Sequence, residues 1–132
     1  MQNMVQARSN DRNPQSGESA TGEGAPIVIV GNGPIGMRTA RELLERLSEI
    51  PVVIYGDESH EPYNRVRLSS WLAGEINRDG LAQPLQKPFG TRIEERIGYR
   101  IDSIDKDRRC VVDNTGPLQP YSKLVLATGS RP

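Results

Sequence analysis

Cysteine is nearly absent from the sequence. Cys110 is the single cysteine among 132 residues. One thiol excludes an intramolecular disulfide, a CxxC redox pair and a cysteine-based metal cluster within this sequence. We interpret Cys110 as a small buried apolar residue of a strand.

Histidine is equally scarce. His60 is the single histidine of the sequence, and we interpret it as an exposed turn residue. We therefore predict no metal site.

Neither sign of charge is in excess, since 17 basic and 17 acidic residues give a formal net charge of +0. This balance gives no reason to expect a nucleic-acid partner or an anionic membrane surface. No apolar run approaches the roughly 20 residues of a membrane-spanning helix, and the N-terminus lacks the apolar core of a signal peptide. We therefore expect a cytoplasmic protein. The composition leaves its oligomeric state open.

Residues 1–24 are polar and show no hydrophobic periodicity. A segment of this kind cannot bury enough apolar surface to offset the entropy lost on ordering. We predict a disordered tail over residues 1–24 and one domain of ordinary size over residues 25–132.

The most informative stretch joins a strand, a glycine turn and an amphipathic helix. Residues 26–30 contain four consecutive branched apolar residues, which is typical of a strand buried on both faces of a parallel sheet. The pattern GxGxxG follows at once, and a helix is predicted over residues 34–48. Its apolar face recurs at i, i+3, i+4 and i+7 through Ala40, Leu43, Leu44 and Leu47. This order is the one that a dinucleotide-binding fingerprint requires.

Each glycine of the fingerprint has a predicted task. Gly31 allows a sharp turn out of the strand, and Gly33 allows a pyrophosphate to approach the backbone. The first helical residues, Pro34 and Ile35, would lie beside that anion, where free N–H groups and the positive end of the helix dipole are found. Gly36 allows the helix to pack closely on the sheet.

A second buried strand is predicted over residues 52–55, and an acidic pair follows it. Asp57 and Glu58 come roughly 25 residues after the first glycine, where an acidic side chain accepts hydrogen bonds from the adenosine ribose. Either residue could serve, and a carboxylate here disfavours the 2′-phosphate of NADP.

The rest of the chain completes an α/β pattern. A short helix is predicted over residues 68–73, with Ser69 or Ser70 near its start, Gly74 at its end, and Trp71 and Leu72 buried. A third parallel strand is predicted over residues 91–95 and a buried final strand over residues 123–127. Between them, residues 99–104, 109–113 and 118–121 are separated by turn residues. We therefore predict a Rossmann-like parallel sheet with a small inserted antiparallel meander.

Three motifs resemble the N-terminal FAD-binding segment of the pyridine-nucleotide-dependent flavoprotein oxidoreductases. They are VGNGPIG (30–36) with Ala40, YGDE (55–58) with PYNR (62–65), and YSKLVLATGSRP (121–132). The resemblance implies that FAD is the cofactor, and that Ala127, Thr128 and Gly129 line it. It also implies that Arg65 packs along the FAD, and that Ser70 lies at the cofactor where the ferredoxin and rubredoxin reductase branches have a lysine.

Within that family, residues 63–75 are similar to the NAD(P)H nitrite reductase large subunit. The resemblance implies that this chain is a fragment, inactive alone, of an enzyme that passes electrons from NAD(P)H through FAD to an acceptor. The NAD(P)H site, siroheme and iron–sulfur cluster would belong to the remainder of that longer chain. The redox cysteine pair of the disulfide reductases is missing, and no catalytic acid, base or nucleophile is expected. The alternatives are a ferredoxin or rubredoxin reductase fragment, or a non-enzymatic module that binds NAD(H) or FAD.

Overall fold

The computed structural model of the protein describes residues 24–82 and 89–130. Apart from Gly24, the predicted disordered tail lies outside the described residues. Single-turn 3₁₀ helices lie at Arg65–Arg67, Arg78–Leu81 and Gly90–Arg92. The strands and α-helices follow in the order β1 (Ile27–Val30), α1 (Pro34–Arg46), β2 (Val52–Gly56), α2 (Leu68–Leu72), β3 (Ile93–Ile97), β4 (Ile101–Asp105), β5 (Cys110–Asp113), β6 (Leu118–Pro120) and β7 (Lys123–Leu126).

A parallel sheet organises the molecule. Its strand order is β3-β2-β1-β7, and β1 pairs in parallel with both β2 and β7. Strands β4, β5 and β6 form a separate antiparallel sheet. The predicted α/β architecture with an inserted meander is therefore confirmed, and the observed strands differ from the predicted ones by a few residues at their ends.

Two apolar layers cover the two faces of the parallel sheet. One face packs against α1 through a cluster that includes Ile29, Ile54, Ala40 and Leu44. The other face packs against the meander, where Tyr55 and Val28 contact Val111 and Tyr121. Because both faces are covered, β1 and β2 are the continuous apolar runs that the sequence shows. Cys110 is buried as predicted.

The C-terminal end of α1 is held by an arginine from a distant part of the chain. The helix ends at Arg46, two residues earlier than predicted, and Leu47 adopts an extended conformation. Arg92 donates from Nη1 to the carbonyl oxygen of Leu47 at 2.6 Å and from Nη2 to that of Leu44 at 2.8 Å. These bonds satisfy carbonyl groups that a helix end otherwise leaves unpaired.

A polar network joins the parallel sheet to the meander. Arg96 of β3 donates to the hydroxyl of the buried Tyr55 and lies 4.0 Å from the carboxylate of Asp113. Asp113 accepts hydrogen bonds from the hydroxyl and the backbone N–H of Thr115. These bonds, the one from the hydroxyl first, lower the pKa of Asp113 against the opposing effect of desolvation, with a further contribution from Arg96. Burial raises the pKa of Tyr55.

Two burial predictions were wrong. Trp71 and Leu72 are 39% and 73% exposed, because the five-residue α2 packs on the neighbouring 3₁₀ segments and these cover its apolar side chains only in part. The final strand was predicted to be buried, yet Leu126 is 61% exposed. Strand β7 lies at the edge of the sheet, so it has one strand partner within the described residues.

Neither α1 nor α2 has both the length and the apolar character that crossing a membrane requires, and the same holds for every other described helix.

Candidate functional site

A cavity of about 720 Å³ opens at the carboxyl ends of three parallel strands. Its walls come from the segments that directly follow β1, β2 and β7, where ligands of open α/β sheets bind. The volume is within the range of small-molecule sites. The lining residues are Gly31, Asn32, Gly33, Pro34, Ile35, Asp57, Glu58, Pro62, Tyr63, Arg65, Leu126, Ala127, Thr128, Gly129 and Ser130.

Two glycines allow three backbone segments to converge beneath this cavity. Gly31 has a φ of +110°, and a Cβ at this position would overlap the carbonyl oxygen of Ala127. A Cβ on Gly36 would overlap the carbonyl oxygen of Gly31 and lie 3.5 Å from the Cβ of Ala127. The two residues therefore act by close packing, and Gly36 lies outside the cavity lining.

Gly33 differs from both neighbours of the motif, because its missing Cβ leaves open space. A Cβ built on Gly33 would meet no atom within 4 Å. Gly33 is the N-cap residue of α1, and its carbonyl oxygen accepts the N–H of Met37 at 2.9 Å. The N–H groups of Ile35 and Gly36 precede this first helical bond, and the first turn contains no acidic residue. The start of α1 can therefore receive an anion.

The acidic pair and Arg65 line the cavity together. Glu58 accepts from Arg65 Nη2 at 3.2 Å through Oε1, and its Oε2 lies 3.4 Å from Nε2 of His60. The Arg65 guanidinium also lies 5.8 Å from the centre of the Tyr63 ring. Among the lining residues in the described part of the chain, Arg65 is the one basic side chain. Asp57 is the first residue after β2.

In the segment after Tyr63, Arg65 lines the cavity, whereas Arg67 and Ser70 do not. Asn64 accepts the N–H of Val66 at 3.0 Å, which starts the 3₁₀ turn Arg65–Arg67. Arg67 is directed elsewhere and donates to the carbonyl oxygen of Gly80 at 3.0 Å. Ser70 is outside the cavity lining, and its carbonyl oxygen accepts the N–H of Glu75 at 2.9 Å.

The sequence analysis missed several lining residues. Pro62, Tyr63, Leu126 and Ser130 flank residues that were predicted, so their position next to a motif was the available signal. Asn32 lies in the variable position between two fingerprint glycines, where the motif itself specifies no residue type.

The arrangement suits an adenine dinucleotide. The open space over Gly33, at the start of a helix, can take a diphosphate. The Arg65 guanidinium lines the same cavity, and so do the carboxylates that follow β2. Ala127, Thr128 and Gly129 line the opposite side after β7. All the predicted site residues except Gly36 and Ser70 therefore come together at one cavity.

The model of the family described as pyridine nucleotide-disulphide oxidoreductase matches residues 25–132. The anthranilate 1,2-dioxygenase system ferredoxin–NAD(+) reductase component of Burkholderia cepacia is 39% identical over 110 residues, which are 80% of this chain and 27% of that protein. The nitrite reductase [NAD(P)H] of Bacillus subtilis is 32% identical over 108 residues, which are 80% of this chain and 13% of that protein.

Solved structures are similar as well. The covalent putidaredoxin reductase–putidaredoxin complex has a TM-score of 0.75 at 31% identity, and the match covers 82% of this chain and 26% of that one. The ferredoxin reductase for the CYP199A2 system from Rhodopseudomonas palustris has a TM-score of 0.70 at 32% identity, covering 80% and 26%. The chain thus spans about a quarter or less of the length of these four relatives.

Proposed function

Because this chain belongs to the pyridine nucleotide-disulphide oxidoreductase family, we propose that residues 25–132 are the FAD-binding part of an NAD(P)H-dependent oxidoreductase. The observation that carries the proposal is the open space over Gly33 at the start of α1. Gly31 and Gly36 are needed for packing, whereas the packing of the chain leaves the space over Gly33 empty. A diphosphate in that space explains why position 33 is a glycine.

Three groups of residues would hold the FAD. The diphosphate lies against Gly33 and the first turn of α1, with Arg65 as its cationic partner. The backbone of residues 127–129 lies along the cofactor from the side of β7. The proposed contact of Ser70 stays a prediction, because Ser70 is outside the cavity lining.

We assign the ribose hydroxyls to Asp57 because of its place, directly after β2, where an acidic side chain of this kind of fold accepts from the ribose. Glu58 is one position further along the chain, and it accepts from Arg65 with one carboxylate oxygen and lies near His60 with the other. Asp57 directly follows β2 and lines the same cavity. In this arrangement Glu58 pairs with Arg65 before the cofactor binds, and Asp57 accepts from the ribose.

Bound FAD would supply the redox chemistry, since a flavin accepts hydride from NAD(P)H and passes electrons to an acceptor. The part of this chain is to bind and orient the cofactor. Its cavity-lining residues include carboxylates and an arginine, and we assign none of them a proton-transfer step.

For the acceptor we propose the nitrite reductase kind, with siroheme and iron–sulfur centres in the longer chain. Nitrite reductases of Bacillus subtilis and of Klebsiella oxytoca, 32% and 33% identical, support this choice. The second candidate is a ferredoxin-linked reductase, which the 39% identity to the Burkholderia cepacia protein supports. Both kinds match about 80% of this chain.

Titration of the purified chain with FAD tests the binding proposal. We expect saturable quenching of flavin fluorescence, and little or no NAD(P)H-dependent reduction of nitrite, ferredoxin or dyes by this chain alone. Binding of NADH without binding of FAD would indicate the non-enzymatic module instead. Robust turnover with NADH would contradict the fragment interpretation. For the longer protein that contains residues 25–132, NADH oxidation with nitrite and with ferredoxin distinguishes the two acceptors.

A further inference from the structure

Gly56, the last residue of β2, is a glycine for a reason that its backbone does not supply. It is buried, and its φ is outside the left-handed region that favours glycine. A Cβ at Gly56 would overlap the side-chain amide of Asn32, with the carbon, nitrogen and oxygen of that amide all in its path. The missing Cβ is therefore the space in which the Asn32 amide lies.

The Asn32 side chain lines the cavity, and its amide lies against the end of β2. Asn32 lies between Gly31 and Gly33, and its side chain reaches from this turn across to the end of β2. Asp57 follows directly after Gly56. The amide thus lies between the helix start, where we place the diphosphate, and the carboxylate to which we assign the ribose.

The described part of the chain leaves the hydrogen-bonding groups of this amide without a partner. Asn32 is half-buried, and its side chain makes no hydrogen bond to any residue within 24–82 and 89–130. A side-chain amide carries two N–H donors and an acceptor oxygen. Packing alone does not explain why a buried glycine makes room for an amide that hydrogen-bonds no described residue.

We propose that Asn32 is a ligand-binding residue, whose amide hydrogen-bonds the dinucleotide between its adenosine ribose and its diphosphate. In this inference Gly56 is a positioning residue, because it acts by giving the amide its place. The inference rests on the proposed binding of FAD and adds to it a contact that the glycine motif does not specify.

The geometry makes the test clean, because Gly56→Ala displaces a flexible side-chain end and leaves the backbone unstrained. We compare Asn32→Ala, Gly56→Ala and the double variant with the wild-type chain. Gly80→Ala is the matched control, since its φ is also ordinary and a Cβ there would meet its nearest neighbour, on Ile76, at 3.4 Å, away from the cavity. The readouts are the Kd for FAD from fluorescence quenching and the unfolding midpoint of each chain without FAD.

We expect Asn32→Ala to weaken FAD binding about tenfold, the equivalent of one hydrogen bond. Gly56→Ala should weaken it to a similar degree with little change in the unfolding midpoint, and the double variant should bind no worse than the weaker single variant. Gly80→Ala should bind as the wild type does. In competition with FAD, ADP should lose affinity for the Asn32→Ala chain by the same factor, because ADP retains the adenosine and the diphosphate.

Three results would overturn the inference. Wild-type FAD affinity in Asn32→Ala would show that the amide is only packed against Gly56. Additive losses in the double variant would show that Gly56 acts through something other than Asn32. If the wild-type chain itself fails to bind FAD while these variants remain folded, the proposed function fails and the inference fails with it.

Discussion

Arg65 offers the sharpest test of the site, because its contribution can be worked out from its contacts. A hydrogen bond between a guanidinium and a phosphate oxygen contributes about 1.5–3 kcal/mol. Without cofactor, Arg65 is paired with Glu58 at 3.2 Å, and the two side chains are 59% and 43% exposed. An exposed pair of this kind contributes about 0–1 kcal/mol, which binding the phosphate would partly sacrifice. The net contribution of Arg65 is then about 1–2.5 kcal/mol, or about five- to seventyfold in Kd.

Arg67→Ala is the matched control for Arg65→Ala. Both residues belong to the same 3₁₀ turn, but Arg67 donates to the carbonyl oxygen of Gly80 and lies outside the cavity lining. The assay is titration of each purified chain with FAD, together with its unfolding midpoint. We expect Arg65→Ala to bind FAD five- to seventyfold more weakly than the wild type, from the balance of its hydrogen bond and ion pair. The loss of FAD affinity in Arg67→Ala should be clearly smaller.

Glu58→Gln separates the two partners of Arg65. This substitution removes the ion pair and a negative charge near the diphosphate, so FAD should bind as tightly as in the wild type or more tightly. Equal losses in Arg65→Ala and Arg67→Ala, or a larger loss in Arg67→Ala, would refute the assignment of Arg65. A large loss in Glu58→Gln would instead assign the ribose to Glu58.

The remaining predictions concern the glycines, the end of α1 and the pH dependence. Gly33→Val should abolish detectable FAD binding while circular dichroism stays unchanged, because its side chain enters open space, whereas Gly31→Ala should unfold the chain. Arg92→Ala should lower the free energy of unfolding by about 1–3 kcal/mol in urea denaturation, because it removes two hydrogen bonds to helix carbonyl groups. Asp113 has a lowered pKa in the folded state, so its hydrogen bonds with Thr115 stabilise the protein above the unfolded pKa of about 4 and are lost as the pH falls through the folded pKa. Asp113→Asn should therefore flatten the loss of stability below about pH 4; an unchanged slope would contradict this.

Much of the fold could be predicted because local patterns and tertiary structure agree. The branched apolar residues of β1 and β2 are covered on both faces, and an uninterrupted apolar run is the pattern typical of such a strand. The separators of the meander are turn residues for local reasons. Burial in α2 and β7 could not be predicted in this way, because it depends on which neighbour covers an apolar side chain. Trp71 and Leu126 are as apolar as core residues, yet they are 39% and 61% exposed.

The site residues, too, include some that the sequence predicts and others that depend on the folded chain. The glycine motif predicted Gly31 and Gly33, because the turn and the approach of a ligand to the backbone restrict the residue type there. The family resemblance predicted residues 127–129. The glycine motif could not predict the contacts of Glu58, since these depend on where Arg65 and His60 lie in the folded chain. The place of the Asn32 amide could not be predicted either, because it depends on Gly56, 24 positions later in the sequence and adjacent only in the folded chain.

The contact between Gly31 and Ala127 has a consequence for the order of events in folding. The strands that bring these residues together, β1 and β7, are 96 positions apart where Ser122 meets Pro26. Closing a loop of this length costs more chain entropy than joining β1, α1 and β2, and long-range pairs of this kind form more slowly than local ones. One wall of the cavity therefore exists only after the last strand has docked. In a refolding experiment FAD binding should lag behind the recovery of helical circular dichroism, and on the ribosome the site should form only after residue 130 has emerged.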